Sequence, residues 1–414
     1  MGKASDTIKN LLLVIVSLVF VAAAVEFACY LMVHTRNAHD FSYSGDAKAN
    51  YAHLFARYRM YKLNPDFAAQ PGCGHSPDGF RRDQAVSVKK PAGVYRIFMM
   101  GGSALYGLGA APGWPPSPML KNSQNTDKVV ENLLNRQLGP VTGKRFEVIN
   151  AGLISYITVQ HLMYILERIY LYQPDMIVFL DGANDFFSAL KHYNHLDDFY
   201  YFYGIVPDQL NQRSFLFALY TMARSLAKHS YFFQIVERKL QLALSNRAVV
   251  QKSRRRHRQQ YKLEQVNQVY PTIARDSFLR TYKLIQELAR IYGFKMLVIL
   301  QPYVTFEDPA QLSPQDRQVQ KITIEKMKQS SEDPGWRPAC RKLLPGLFRQ
   351  YDIPFRDLGQ MAGPETKHQR LYADYCHFTP AGAKRVGTLI AHILEPLIKK
   401  DLAQPRPPAP AGRD

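Results

Sequence analysis

Acidic residues are scarce in this chain: 34 Asp and Glu stand against 53 Lys and Arg, a formal charge of +19. Such an excess suits nucleic acid, an anionic membrane surface or an acidic polymer as a partner. The first has nothing else behind it. The chain lacks zinc-finger spacing, a helix-turn-helix signature and an RNA-binding aromatic motif, and its positive charge is spread along most of its length. No nucleic-acid partner is expected. An internal repeat is also missing, and so are the compositional marks of general disorder, because 46 % hydrophobic content over 414 residues supplies one large core or two modest ones. Cysteine is sparse, with four in all; Cys73 and Cys340 are free to pair and Cys376 is left over, and no pairing follows from sequence alone. Cys29, preceded by Glu26, Phe27 and Ala28, is not a convincing lipidation site. No cofactor or metal is expected.

What the chain does have is an apolar run from Leu11 to Val33 that carries one charged residue, Glu26. That length crosses about 30 Å of hydrocarbon, so the run reads as a membrane segment. Ala22-Ala23-Ala24 can serve as a signal-peptidase site, but apolar residues continue to Val33, which favours an uncleaved anchor. Glu26 is costly inside a bilayer and belongs near an interface or against a partner helix. Lys3 and Lys9 precede the run while Arg36 and Lys48 follow it, leaving the free amine to tip the positive-inside rule. The expectation is an inner-membrane, single-pass protein anchored through Leu11–Val33, its N-terminus inside and its bulk in the periplasm.

Residues 36–90 read as a linker and docking segment that ends in "HSPDGFRRD" with an Asp78-Gly79 turn. Regular alternation follows: a strand at "VYRIFMM", a helix at "TDKVVENLLNRQLG" that Thr126 can cap and Gly139 can end, a strand at "FEVINAG", a helix at "TVQHLMYILERIYLYQP" and a strand at "DMIVFLDGAND". Between about 190 and 270 the pattern gives way to an aromatic, basic, mostly helical insertion. It includes Phe199 to Tyr203, more often core than sugar platform, and the run Lys252, Arg254, Arg255, Arg256 and Arg258, a solvated helix face or a site for acidic glycan or lipid headgroups. A helix at "SFLRTYKLIQELARIYG" and a strand at "KMLVILQPY" resume the core. A second polar insertion spans about 304–338, a short strand sits at "IPFRDL", a last helix follows "HFTPAGAKRVG", and 401–414 is a Pro-rich tail of disordered composition. The α/β domain thus runs from 91 to 400 behind an anchor at 1–35, and the alternation predicts a flavodoxin-like, doubly wound parallel sheet.

Such a sheet gathers its strand exits at one edge. Those exits carry Ser103 after the first strand, Asn150 and Gly152 after the second, Gly182 and Asn184 after the third, and Asp374 with His377 before the last helix. Acyl transfer needs a nucleophile, a base for its proton, a group that holds the base, and donors where the oxyanion develops. Ser103, His377 and Asp374 can fill the first three roles; the Asn184 amide and the backbone N–H groups of Ser103 and Gly152 can form an oxyanion hole. Taken singly, each residue has a plainer reading. Gly101-Gly102-Ser103 makes a tight turn, His377 an ordinary packed histidine, Asn184-Asp185 a turn, Gly152 a strand end and Asp374 a helix cap. Cys376 reads as a bystander.

Together, "GGSALYG", "VINAGLISY", "DGANDF" and "DYCHFTPAG" resemble, in order, the four blocks of the SGNH (GDSL-like) hydrolase family. The serine, glycine, asparagine and histidine of its name fall on Ser103, Gly152, Asn184 and His377. The likeness spans about 91–190 and 275–400 and leaves the anchor and the large insertion unexplained. One departure is Gly102, which stands where the family's aspartate does and resembles the Gly-Gly-Ser variant of membrane-anchored members. The resemblance implies ester chemistry; location and charge add an acylated glycan or lipid, most simply O-acetyl groups on an extracytoplasmic polysaccharide. Two rivals are an O-acetyltransferase fed by a membrane partner of the envelope polysaccharide machinery, and a non-catalytic subunit of an envelope assembly.

Overall fold

The computed structural model describes residues 2–35, 53–56, 58–67, 72–109, 119–187, 263–329 and 333–404, together with 219, 222–223, 226, 230–236 and 239–240. They divide into two units, Met1–Tyr51 with Asp197–His257, and Ala52–Leu196 with Arg258–Asp414. In the first unit, helix α1 (Gly2–Thr35) contains a 23-residue apolar stretch, Asn10–Met32, exposed along its length except for half-buried Glu26 and buried Cys29. It is long and apolar enough to cross a membrane.

The second unit begins with a small antiparallel pair, β1 (His53–Ala56) and β2 (Met60–Leu63). Its centre is β3 (Val94–Gly101), every residue of which is buried, as a parallel strand covered on both faces requires. After the short helix α2 (Ser103–Tyr106) come α3 (Thr126–Gln137), α4 (Gly139–Thr142) and β4 (Arg145–Asn150). Helix α5 (Thr158–Glu167) and β5 (Met176–Asp181) complete the first half. The second half holds α6 (Val266–Ala274), α7 (Arg280–Tyr292), β6 (Lys295–Leu300), α8 (Pro314–Gln329), α9 (Trp336–Gln350), β7 (Phe355–Asp357) and α10 (Pro380–Leu402).

The five strands β3 to β7 form one sheet in the order β4-β3-β5-β6-β7, with every neighbouring pair parallel. This is the flavodoxin-like, doubly wound order expected from the alternation of strands and helices. The chain steps from β3 to one side, then returns to its other side for β5, so the switch point lies at the carboxyl ends of these strands. The sheet's polar exception sits at the opposite end. Arg96, fully buried in β3, pairs with Glu147 at 2.7 Å and donates to the Tyr172 carbonyl, while its own N–H donates to Asp175. A buried cation is tolerated only when held this closely.

Several local expectations shift by a residue or a turn. Asn125, not Thr126, caps α3, its side chain accepting the Thr126 N–H; Thr126 is the first helical residue and fully buried. Gly139 does not close α3, which ends at Gln137; it opens α4, and Gly143, at φ +64°, closes that turn instead. The helix starting at Thr158 breaks at Arg168 into a 3₁₀ turn, Ile169–Tyr172, before Pro174. A 3₁₀ turn at Leu263–Gln265 leads into α6 at Val266, ahead of the expected "SFLRTYKL" start, and the chain passes through one π turn at Arg275–Leu279 into α7. Cys73 and Cys340 do not form a disulfide: both are buried thiols, as are Cys29 and Cys376. The aromatic stretch Phe199 to Tyr203, the basic run at 252–258 and residues 405–414 lie outside the described residues.

Candidate active site

The run of β3 ends at Gly101, and the chain turns through Gly102 so that Ser103 becomes the first residue of α2. Across the site, Asp374 to His377 form a turn just ahead of α10. Asp374 Oδ1 accepts the N–H groups of Cys376 at 3.0 Å and His377 at 2.9 Å, while Oδ2 accepts the Nδ1–H of His377 at 2.7 Å. One carboxylate therefore shapes the turn and fixes the tautomer. The bare Nε2 of the ring lies 2.7 Å from Ser103 Oγ, which donates to it. Ser103, His377 and Asp374 thus form a continuous hydrogen-bonded relay, and His377 is only 2 % exposed.

The rest of the histidine loop is held firmly. Ala373 N–H donates to the His377 carbonyl, Tyr372 bridges to Phe378, and Thr379 caps α10 by accepting the Gly382 N–H. The buried Asp316, from the 304–338 region, accepts the N–H groups of Leu371 and Tyr372 at 2.8 and 3.0 Å, and Glu307 accepts the Tyr372 hydroxyl at 2.5 Å. Gly109, at φ +106°, lies flat against the base; a Cβ there would stand 2.5 Å from that of His377.

Charge follows this geometry. Burial disfavours the charged imidazole, but the Cys376 sulfur when ionised, the Asp374 hydrogen bond and the Asp374 charge together outweigh it and raise His377 above its ordinary 6.5. Burial likewise pushes Asp374 up, and the hydrogen bond and charge of His377 with the two backbone N–H groups hold it below 3.8. The pair favours imidazolium beside carboxylate.

No family model matches the sequence, and neither does any curated protein. Among solved structures, an acetyl xylan esterase is similar over 72 % of this chain and 99 % of its own, at 10 % identity and a TM-score of 0.35. An aryl esterase from M. smegmatis is similar over 73 % of this chain and 99 % of its own, at 14 % identity and a TM-score of 0.35. A two-domain esterase active on acetylated mannans is similar over 77 % of this chain and 53 % of its own, at 12 % identity and a TM-score of 0.37.

Of the three donor groups expected beside Ser103, two keep an N–H with no acceptor among the described residues. Asn184 stands in a π-helical turn, Ala183–Phe187, after β5; its Nδ2 donates one hydrogen to the Tyr156 carbonyl at 2.9 Å and keeps a second. Its amide fills the space beside Gly102, where a Cβ would come within 2.6 Å of Nδ2. The Ser103 N–H, first in α2, has no acceptor among the described residues. Gly152 departs from expectation, because its N–H is already donated to Asn150 Oδ1 at 2.9 Å in a tight local turn. Its glycine identity serves packing: a Cβ would meet the Tyr106 N at 2.9 Å.

That close approach explains Gly102. A side chain at this position, aspartate included, would collide with the Asn184 amide, and the loop is braced from elsewhere. Asn150 Nδ2 donates to the Leu105 carbonyl at 2.8 Å and to Asp127 at 2.8 Å. Buried Arg81 donates to the carbonyls of Tyr106, Gly74 and Leu120, and His75 bonds the Tyr106 hydroxyl at 2.8 Å. Burial pushes Asp127 up to about 7 despite its Asn150 bond. Asn150 carried a signal, two residues before Gly152 at a strand exit. Arg81, Asp127 and His75 carried none, since their partners lie far away in sequence.

Proposed function

We propose that this chain is a membrane-anchored serine esterase or acyltransferase that acts on O-acyl groups, most simply O-acetyl on an extracytoplasmic polysaccharide. The relay from Ser103 through His377 to Asp374 carries this reading. Ser103 Oγ attacks the ester carbonyl carbon as its proton passes to His377 Nε2, and the oxyanion is met by the Ser103 N–H and the Asn184 amide. Collapse of the tetrahedral intermediate breaks the bond to the leaving alcohol, which takes the proton from Nε2 and leaves an acyl-serine. Water, or a sugar hydroxyl, then attacks the acyl carbon as its proton passes to Nε2, and collapse of this second intermediate breaks the bond to Ser103 Oγ, which takes the proton back from Nε2, so one relay serves hydrolysis and transfer alike. The choice between them lies in the acceptor.

Place supports the substrate class. With Asn10–Met32 across the membrane and its N-terminus inside, Ser103 lies in the periplasm among glycans and lipids, and a charge of +19 favours anionic polymers through a salt-sensitive encounter. The test pairs C-terminal reporter fusions, one active only in the periplasm and one only in the cytoplasm, with acetate release from acetylated polysaccharide by purified full-length protein. Periplasmic signal and Ser103-dependent acetate release are expected. A cytoplasmic signal overturns location and polysaccharide together, and acetate release that survives Ser103→Ala removes the relay from the chemistry.

A further inference from the structure

The one charged residue of the apolar run has a defined partner. Glu26 accepts hydrogen bonds from the Ser230 hydroxyl at 2.8 Å, from the Tyr231 N–H and from the Phe232 N–H at 3.3 Å, the last two lying in the first turn of the helix at 231–236, where N–H groups lack intrahelical acceptors. Ser230 Oγ also accepts the Phe233 N–H at 3.3 Å and so caps that helix. One turn further along α1, Tyr30 packs edge-on against Tyr231 with centroids 5.3 Å apart. Segment and anchor helix are therefore joined at two points. The carboxylate, costly in hydrocarbon, is met by three donors.

This junction fixes a depth. Glu26 precedes the end of the Asn10–Met32 stretch by six residues, about 9 Å along a helix. An amphipathic helix lying in the plane of a membrane sinks its apolar face about 5–10 Å below the headgroups. The segment has the composition for it. Tyr231-Phe232-Phe233 and Ile235-Val236 are aromatic and apolar, Lys228, Arg238 and Lys239 flank them with Glu237 as the single acid, and Phe232 is 42 % exposed and Met222 53 % exposed. Aromatic rings favour the headgroup level, and long basic side chains reach back to anionic headgroups.

We propose that the segment at 230–236 lies in the membrane interface, docked on Glu26, where it contacts an anionic bilayer. This rests on the reading of Asn10–Met32 as a span, and the experiment separates the two. Single cysteines replace Phe20, Phe232, Met222 and, as a water-exposed reference, Leu284 in the full-length protein; each is labelled with an environment-sensitive fluorophore in vesicles of phosphatidylcholine and phosphatidylglycerol. The wild type, whose four cysteines are all buried, gives the background. Spin-labelled lipid is expected to quench positions 20, 232 and 222 and to spare 284, which aqueous iodide quenches instead. Glu26→Ala is expected to abolish lipid quenching at 232 while leaving it at 20. Quenching at 20 with none at 232 and 222 overturns the proposal and keeps the span, whether those sites prove open to iodide or covered by protein. No lipid quenching at 20 overturns the span and the proposal with it, and unchanged quenching at 232 in Glu26→Ala overturns Glu26 as the tether.

Discussion

The two sides of Ser103 are built on different principles. On the base side, Asp374 and His377 stand three residues apart, and a single carboxylate makes the turn, sets the ring and holds its charge. On the oxyanion side, Asn184 depends on the Tyr156 carbonyl, on an Asp185 carboxylate that accepts the Thr158 N–H at the start of α5, and on the emptiness of position 102. The first is closed within the four residues Asp374–His377. The second exists only once β3, β5 and α5 have come together. The local device still leans on Asp316, Glu307 and the bare backbone of Gly109 for its place, but its own hydrogen bonds need none of them.

Substitutions at the relay set the upper end of that comparison. Ser103→Ala is expected to lower kcat for an aryl ester on the order of 10⁶-fold with the fold unchanged, since only a hydroxyl is removed; thermal melting alongside the assay checks both halves. Asp374→Asn should cost about 10⁴-fold by releasing the tautomer. Gly109→Ala puts a methyl group against the Cβ of His377 and should bring kcat down toward that of a relay variant, with KM little altered. On the oxyanion side, Asn184→Ala should cost about 10²–10³-fold in kcat with little change in KM. A loss carried by KM alone would make Asn184 a substrate-binding residue. Gly102→Asp, the residue of the resembled family, should impair rather than restore, because it displaces the Asn184 amide; activity at wild-type level in that variant would break the account of this corner.

Smaller effects test the bracing. Asn150→Ala leaves the Leu105 carbonyl and buried Asp127 without their partner and should destabilise by about 1–3 kcal/mol, measured by denaturant unfolding. The pH profile reports on the base. His377 must be neutral to accept the serine proton, and its pKa is raised, so kcat/KM should climb with pH beyond the ordinary histidine range. The stability sign is opposite: a raised folded-state pKa contributes stability below the unfolded value of 6.5, and that contribution is lost as pH rises through the folded value. Activity and this part of stability therefore move against each other in alkali. Cys376→Ala should shift the activity limb to lower pH by removing the sulfur 3.9 Å from Nδ1.

The contrast also explains what could be read in advance. The buried strands announce themselves as apolar runs, and their exits lie at one edge because parallel strands share a direction, so Ser103, Asn184, Asp374 and His377 were legible as strand-exit residues. Gly152 was legible as a glycine but not in its role, since only the structure shows its N–H turned to Asn150. Helix caps slipped by one residue where two cap-forming residues adjoin, as at Asn125-Thr126. Arg81, Asp127, Asp316 and Glu307 were invisible. Charged residues read as surface in a sequence, and burial with partners dozens of residues away is what makes them part of the site.

Whether Ser103 is an activated nucleophile or a turn residue decides the proposed function. A fluorophosphonate applied to the full-length protein in membranes, followed by peptide mass mapping, addresses it without assuming a substrate. The account predicts a single phosphonylated serine at position 103, formed faster as pH rises and lost in His377→Ala. Failure to form an adduct in correctly folded protein, or an adduct on another serine that persists in Ser103→Ala, would contradict it.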